Sequence, residues 1–240
     1  MTRRIQPGAI VVVILLVIFF YLGFQKGIIS SQGIIFFLVL IPSIILHEVS
    51  HGLVALAFGD PTAKEAKRLT LNPLRHVDPL GTVIVPVLLI ILTHSAFGWA
   101  KPVPVNVSRL RSPRNQGVIV SLAGPLVNIL IAVIAGLVLH FSLSTSQISI
   151  AASNGGFSWV NVVIMLGVAN TVLATFNLLP IPPLDGSAVI ERFLPLRLWE
   201  PYLRLRSYAL IIVFLIIFFI PGAIQAILVP VINFWFSLFL

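Results

Sequence analysis

Residues 34–58 read IIFFLVLIPSIILHEVSHGLVALAF. About 20 consecutive apolar residues are enough for one helical crossing of a bilayer, so this stretch predicts a transmembrane helix. One carboxylate, Glu48, lies within it, between His47 and His51. A charged side chain inside an apolar span is costly and marks a functional site.

The pattern His47-Glu48-x-x-His51 is typical of a zinc site. Residues four apart lie on one face of a helix, so both imidazoles can reach one metal ion. Glu48 is offset toward a water molecule that it can deprotonate. The alternative is a pair of histidines hydrogen-bonded to neighbouring helices. The motif lies nine residues before Phe58, which places it about 14 Å inside the membrane.

Composition excludes a soluble globular protein. Of 240 residues, 58% are hydrophobic and 9% charged, and the mean hydropathy is +1.10. The absence of cysteine excludes disulfides and thiolate metal ligands. The net charge of +8 comes from connecting segments, where basic residues orient membrane proteins and face anionic lipid. We therefore expect a lipid bilayer as partner, and no nucleic acid.

Further apolar runs predict an all-α polytopic membrane protein. They cover residues 8–24, 117–141 and 157–179, a shorter run at 82–97, and a tract from 207 to the C-terminus. Run 8–24 ends without a small-residue cleavage pattern, so we expect it to be retained. The chain then has about six transmembrane helices or half-helices, since helices satisfy their own backbone in hydrocarbon.

Positive charge predicts the topology. Segments 60–80, 98–116 and 180–206 each carry four Lys or Arg residues, whereas 142–156 carries none. Basic segments prefer the cytoplasm, so we expect the run 82–97 to form a re-entrant or peripheral hairpin that does not cross. The tail breaks at Pro221-Gly222, and one or two crossings remain open. Residues 1–240 are expected to form a single membrane-embedded domain with a catalytic core at about 34–186.

Catalytic zinc usually has three protein ligands, so a third must come from elsewhere. Asp185 stands out because it follows three prolines that break a helix, and because Gly186 permits close approach of the backbone. The alternative is a solvated turn aspartate. The other candidates are His76, Asp78, Asp60, His94 and His140.

Five motifs in order resemble the site-2 protease family of intramembrane zinc metalloproteases. They are His47-Glu48-x-x-His51, Asn72-Pro73-x-x-His76-x-Asp78-Pro79-x-Gly81, Gly98-Trp99-Ala100-Lys101-Pro102-Val103-Pro104, Ala123-Gly124-Pro125-x-x-Asn128 and Asn177-Leu-Leu-Pro-x-x-Pro-Leu-Asp185-Gly186.

The resemblance implies that His47, His51 and Asp185 hold one Zn²⁺ per chain and that Glu48 activates the water. It also implies that Asn177 donates to the developing oxyanion, and that the substrate is a membrane-spanning protein. We expect neither a PDZ domain nor a CBS pair. From the charge topology and the depth of the motif, we expect a cell-membrane location with the active site toward the cytoplasm.

Other polar residues have more ordinary interpretations. Asn177 could instead satisfy helix-end carbonyls, and we expect Asn128 to assist packing between helices. Residues 68–72 predict a short extended or β segment near the active site, able to pair with an unwound substrate. Segment 98–104 either flanks the substrate or simply connects two elements.

The remaining marked residues are peripheral to the expected chemistry. His76 and Asp78 either shape the site entrance or belong to a plain loop. We regard His94 and His140 as incidental. The expected lipid-headgroup contacts are Arg109, Arg111, Arg114, Arg204 and Arg206.

Two rival functions remain besides proteolysis. A divalent-metal transporter also places His and Asp in membrane spans, but it leaves Glu48 without a role as a base. A proteolytically silent membrane adaptor would have no need of both the zinc motif and the Leu184-Asp185-Gly186 motif.

Overall fold

A computed structural model of the chain describes residues 30–76, 78, 101–153, 156–198 and 220–240, together with isolated positions at 21, 23, 200–202, 204, 206, 208, 211 and 215. The helices within these residues are α1 Ser31–Ala57, α2 Thr62–Glu65, α3 Pro113–Ser142, α4 Thr145–Ser153, α5 Trp159–Asn177, α6 Ser187–Phe193 and α7 Pro221–Phe239. Short 3-10 turns cover Pro73–Arg75, Val107–Arg109 and Leu196–Leu198.

Local sequence sets the ends of the long helices. The Ser30 hydroxyl accepts from the Gly33 amide at the start of α1, and the Ser158 hydroxyl accepts from the Asn161 amide at the start of α5. Pro113 occupies the first turn of α3, where the missing N–H costs nothing. Gly59, with φ +106°, redirects the chain after α1, a conformation that favours glycine.

Three helices are long and apolar enough to cross a membrane: α1, α3 and α5. They confirm the predicted spans 34–58, 117–141 and 157–179 to within four residues at each end. The runs 8–24 and 82–97 lie largely or wholly outside the described residues. The break predicted at Pro221-Gly222 coincides with the start of α7.

Helices α1, α3 and α5 pack against one another, and α7 packs against α3 and α5. The apolar core lies around Leu139, Ile164 and Trp235. The Trp235 indole N–H donates to the Ala132 carbonyl at 2.9 Å, which satisfies its polar edge inside this core. Helix α1, which carries the zinc motif, thus packs against two other apolar helices.

The strand predicted near residues 68–72 is wrong, because no strand occurs among the described residues. Backbone groups there bond locally instead: the Arg68 amide donates to the Ala63 carbonyl, and the Thr70 amide to the Arg68 carbonyl. The Thr70 carbonyl in turn lies 2.8 Å from His76 Nε2. A strand needs these groups for a partner strand, and here they are already used.

Candidate metal centre

Two predicted ligands on α1 and one from a distant loop come together in the structure. Asp185 Oδ2 lies 3.0 Å from His47 Nε2 and 3.4 Å from His51 Nε2. Among the described residues, these three side chains form the one group of His, Cys, Asp or Glu that could hold a metal ion. Both histidines are buried, so the cluster lies inside the bundle.

The other ring nitrogens of the histidines are held by α3. His51 Nδ1 lies 2.7 Å from the Val120 carbonyl oxygen, and His47 Nδ1 lies 2.6 Å from Asn128 Oδ1. A carbonyl oxygen only accepts hydrogen bonds, so His51 Nδ1 carries the proton and donates. In the neutral ring that a metal-bound histidine requires, Nε2 then carries the lone pair and faces Asp185.

The donor set fits a zinc ion. Asp185 Oδ2 is buried and has no hydrogen-bond partner among the described residues, a state that is costly without a cation. Tetrahedral zinc with bonds of about 2.0–2.1 Å holds its ligand atoms about 3.4 Å apart. The His51 Nε2 to Asp185 Oδ2 separation of 3.4 Å equals this spacing, and the His47 Nε2 to Asp185 Oδ2 separation of 3.0 Å is shorter.

Gly124 on α3 makes room for the cluster. A Cβ atom there would lie 2.5 Å from His47 Cε1 and 2.5 Å from His51 Nε2. Such distances are shorter than real Cβ contacts, so only glycine allows α3 to pass this close to both imidazoles. The Ala-Gly-Pro motif of α3 therefore shapes the metal centre from the side.

The loop between α5 and α6 carries Asp185 to the histidines. Three prolines follow α5, and the peptide bond between Pro182 and Pro183 is cis. The Gly186 amide donates to the Asn177 carbonyl at 2.7 Å, so the loop folds back onto the helix end. A Cβ at Gly186 would lie 2.2 Å from the Leu178 carbonyl oxygen, so this return also needs glycine.

Glu48 is fixed by a backbone amide from another part of the chain. The Val103 N–H donates to Glu48 Oε2 at 2.7 Å. Val103 stands between Pro102 and Pro104, which have no N–H, so it supplies the one amide donor of this tripeptide. Segment 98–104, predicted either to flank the substrate or to be a plain connector, thus contacts the glutamate of the zinc motif through Val103.

The charged side chains of Asp60 and Arg68 and the His76 carbonyl hold residues 101–106 in place. Arg68 Nη2 donates to the Lys101 carbonyl at 2.6 Å, and the Lys101 amide donates to the His76 carbonyl at 2.9 Å. At the other end, the Asn106 amide donates to Asp60 Oδ2 at 2.6 Å. We call these three residues, Asp60, Arg68 and His76, together with Val103, the Glu48 brace.

Two members of the brace have shifted pKa values. Burial alone would raise the pKa of Asp60, but hydrogen bonds from the Thr62 hydroxyl, the Asn106 amide and the Thr62 amide outweigh it and hold the pKa below its ordinary value. Burial lowers the pKa of the Arg68 guanidinium, and the charge of Glu48 opposes that shift. The surroundings of Asp60 thus favour its charge, whereas the burial of Arg68 opposes its charge.

The other candidate ligands lie elsewhere. Asp60 and His76 belong to the brace, and His140 Nδ1 lies 3.2 Å from the Phe239 carbonyl. Asp78 is not part of the metal cluster, which joins His47, His51 and Asp185. His94 lies outside the described residues.

The Asn177 side chain bonds back onto its own helix. Its side-chain Nδ2 donates to the Leu173 carbonyl at 3.0 Å, one turn back in α5. The Leu173 carbonyl precedes the last four carbonyls of α5, so this bond does not cap one of the unpaired helix-end groups. The amide group carries a second hydrogen, which this bond does not use.

Sequence reasoning missed Ser43, Asn170 and the Val103 amide. Ser43 and Asn170 are polar residues inside predicted membrane spans, so the signal that marked Glu48 was present in a weaker form. Asn128 was expected to assist packing between helices, and it does bond across them, but its partner is also a candidate metal ligand. No pattern could have indicated a backbone donor 55 residues after Glu48.

A cavity of about 460 Å³ opens beside Asp185. The start of α3, the Asp185 loop and α6 line it, and Arg114, Glu191 and Arg192 contribute charged side chains. The metal centre is therefore next to a partly polar space.

Comparison with known proteins identifies the family. The chain is 41% identical over 185 residues to "Putative zinc metalloprotease YwhC" of Bacillus subtilis, an alignment that covers 77% of this chain and 80% of that protein. The sequence model of peptidase family M50 matches residues 143–220. This chain belongs to peptidase family M50, the site-2 protease family.

More distant relatives of this M50 protein have the same type of name. "Putative zinc metalloprotease Rip2" of Mycolicibacterium smegmatis is 35% identical over 150 residues, covering 62% of this chain and 53% of that protein. Rip2 of Mycobacterium tuberculosis H37Rv is 31% identical over 199 residues, covering 81% of this chain and 66% of that protein. The chain thus spans between about half and two thirds of the Rip2 proteins. No solved structure matches it.

Membership of peptidase family M50 agrees with the apolar composition of the chain and with the cluster of His47, His51 and Asp185. The M50 protein is a zinc metalloprotease, and its long apolar helices indicate a multi-pass membrane protein. The sequence predicted both the family and the zinc cofactor.

Proposed function

We propose that this M50 protein is a zinc-dependent endopeptidase that hydrolyses a peptide bond within or near a transmembrane segment of a membrane-protein substrate. The observation that carries the proposal is the position of the cluster. Two of its three side chains, His47 and His51, are buried on α1, a helix apolar enough to cross a membrane. A substrate must therefore bring its scissile bond to membrane depth.

Each polar side chain of the site has a role in the proposed reaction. His47 Nε2, His51 Nε2 and an Asp185 carboxylate oxygen hold the zinc. When bound, zinc supplies Lewis acidity toward a water molecule and the scissile carbonyl. Glu48 takes a proton from the attacking water and delivers it to the leaving amine. The Val103 amide occupies Oε2, so Oε1 is left to carry the proton.

Asn177 is the proposed donor to the oxyanion. It stands at the end of α5, where its backbone carbonyl accepts from the Gly186 amide next to Asp185. A donor of this kind contributes about 3 kcal/mol to transition-state stabilisation in other enzymes. In this role the second side-chain hydrogen would point to substrate while the first remains on the Leu173 carbonyl.

We propose a cell-membrane location with the site toward the cytoplasm. The basic segments 60–80, 98–116 and 180–206 then share one side, and the cavity beside Asp185 gives water a route to the site. The chain has no cysteine, so single Ser108→Cys and Ser146→Cys variants report topology cleanly. We expect impermeant reagents to label Ser146→Cys from outside and Ser108→Cys only from inside. Labelling of Ser108→Cys from outside would overturn this orientation.

The substrate helix has to unwind before Glu48 can act, because a regular helix engages its own amide groups. Gly lowers helix stability by about 1 kcal/mol and Pro by about 3 kcal/mol relative to Ala. Substrates with such residues near the cytoplasmic end should be cut faster than uniform Leu helices. Mass spectrometry of the products should place the cut about 14 Å from the cytoplasmic boundary, and cuts in the opposite half would contradict the proposed depth.

The decisive experiment is cleavage of a membrane-spanning substrate by the protein reconstituted in lipid vesicles. We expect one zinc per chain, activity that a chelator abolishes and zinc restores, and no hydrolysis by Glu48→Gln, which still binds zinc. Asp185→Ala should lose the metal. Zinc-dependent flux across the vesicle without cleavage would instead indicate a transporter, and full zinc occupancy in Asp185→Ala would remove that residue from the site.

A further inference from the structure

A chain of buried polar side chains crosses the bundle behind His47. It consists of Asn128 on α3, Asn170 on α5 and Ser43 on α1, and each is no more than 1% exposed. The proposed reaction assigns none of them a role. Buried polar groups inside an apolar bundle are costly unless every donor and acceptor is paired.

The hydrogen bonds of this chain run without a gap. Asn128 Nδ2 donates to Asn170 Oδ1 at 2.8 Å. Asn170 Nδ2 donates to Ser43 Oγ at 2.8 Å and to the Leu166 carbonyl at 2.8 Å. The Ser43 hydroxyl donates to the Val39 carbonyl at 2.7 Å. At the other end, Asn128 Oδ1 lies 2.6 Å from His47 Nδ1.

Two backbone carbonyls fix the direction of the whole chain. The Leu166 carbonyl only accepts, so the Asn170 atom that faces it must be the NH₂ group. Asn170 Oδ1 then faces Asn128, and the Asn128 atom that meets it must be a donor. The Ser43 hydroxyl gives its hydrogen to the Val39 carbonyl and can only accept from Asn170. A flipped amide at either asparagine would place two acceptors or two donors against each other.

This order determines which ring nitrogen of His47 carries the proton. Because Asn128 presents its oxygen, His47 Nδ1 must be the donor. In the neutral ring, which metal binding requires, Nε2 then carries the lone pair and faces Asp185. His51 reaches the same state directly, through the Val120 carbonyl. The two histidines thus have the same tautomer, one set by a single carbonyl and the other through two asparagine side chains.

We propose that Asn128 and Asn170 are positioning residues that hold His47 in its metal-binding tautomer and orientation, with Ser43 and the Leu166 carbonyl as their anchor. The proposal rests on the proposed ligand role of His47. It gives both asparagines a task beyond helix packing. Outer partners of metal-bound histidines typically change metal affinity about 10-fold to 100-fold.

The test measures zinc affinity of the full-length protein in detergent by competition with a chelator. We expect Asn128→Ala to bind zinc about 100-fold more weakly and Asn170→Ala about 10-fold more weakly. Asn161→Ala is the matched control. Asn161 is also a buried asparagine on α5, 1% exposed, and its Nδ2 donates to the Gly156 carbonyl away from the metal centre. We expect it to lose thermal stability but retain zinc affinity.

A conservative variant separates positioning from packing. Asn128→Asp keeps an acceptor for His47 Nδ1 but places its other oxygen against Asn170 Oδ1. We expect lower thermal stability than wild type with zinc affinity restored relative to Asn128→Ala, since carboxylates also orient metal-bound histidines. A role in packing alone would lower stability and affinity together.

The outcomes distinguish this proposal from the one it rests on. Unchanged zinc affinity in Asn128→Ala, or equal losses in Asn161→Ala and Asn170→Ala, would overturn the positioning role while leaving the metal centre intact. A wild-type protein that binds no zinc would overturn the proposed function itself. If Asn128→Ala does not accumulate as folded protein, the comparison of Asn170→Ala with Asn161→Ala decides alone.

Discussion

The metal cluster and the Glu48 brace are held by different kinds of structure. Behind the cluster, uncharged side chains on three packed helices bond to one another: Ser43, Asn128 and Asn170. In the brace, charged side chains bond to the backbone of a segment that has neither helix nor strand, residues 101–106. The two histidines proposed as ligands are thus held by packed helices, whereas the proposed base, itself on α1, is held by a loop.

This difference suggests that the helices fix the metal ligands and that the loop allows movement near Glu48. Zinc ligands must keep a fixed geometry, and helices pack side chains more rigidly than loops do. Under the proposed function, the base faces a substrate that enters from the membrane, so the segment around the base has to move aside. Residues 101–106 are tied at only a few points, by Arg68, His76, Glu48 and Asp60, and such a segment can open locally at low cost.

The largest effect should come from filling the space beside the cluster. Gly124→Ala places a methyl group 2.5 Å from both imidazoles, so we expect zinc affinity to fall more than about 100-fold, beyond the usual effect of outer partners, with hydrolysis undetectable. Metal analysis and the cleavage assay measure this.

Gly117→Ala on the same helix is the control for that change. There the new methyl group meets only Val107 Cγ1, at an ordinary 3.5 Å, while the gain in helix propensity is the same. We expect normal zinc content and activity. Normal zinc binding by Gly124→Ala would mean that α3 does not approach the cluster as closely as the structure has it.

A smaller effect should follow from removing the brace's hydrogen bond to Glu48. Val103→Pro deletes the amide hydrogen, and the position already precedes Pro104, which restricts it to backbone conformations that proline accepts. A hydrogen bond to a charged group contributes about 1.5–3 kcal/mol, so we expect kcat to fall about 10-fold or more, with zinc affinity unchanged. Val103→Ala keeps the amide and should retain most of the kcat. Equal kcat values for the two variants would show that the amide does not position Glu48.

The smallest effect should concern the outer end of the brace. The lowered pKa of Asp60 means that its carboxylate stabilises the folded state above its ordinary pKa of about 4, and that this contribution is lost as the pH falls through the lowered value. Asp60→Asn should therefore reduce the free energy of unfolding by about 1 kcal/mol at pH 7 and by less in acid.

Thermal unfolding in detergent at pH 7 and pH 3 measures this difference. Glu65→Gln is the control, since Glu65 pairs with Arg109 on the exposed surface, where ion pairs contribute little. A difference between Asp60→Asn and wild type that grows in acid would reverse the expected sign and contradict the lowered pKa.

The sequence predicted one part of the zinc site more directly than the other. His47 and His51 are four residues apart on one helix, so helical geometry alone brings them together. Asp185 is 134 residues after His51. The residue types alone left six candidates for the third zinc ligand, and the family motifs then favoured Asp185. The prediction of a strand at 68–72 was wrong for a related reason, because a strand needs a partner strand that local sequence does not specify.

The sequence by itself determined the membrane environment, the three helices α1, α3 and α5, the zinc chemistry and the family. The membrane environment and the helices follow from hydrophobicity, and the zinc chemistry follows from helical spacing, which are local properties of the chain. The family follows from the resemblance of five sequence motifs. Tertiary structure alone decided that Asp185 faces both histidines, that Val103 bonds to Glu48, and that Asn128 and Asn170 stand behind His47. Each of these contacts joins residues at least 42 positions apart. Such contacts depend on how helices and loops pack, which local patterns do not specify.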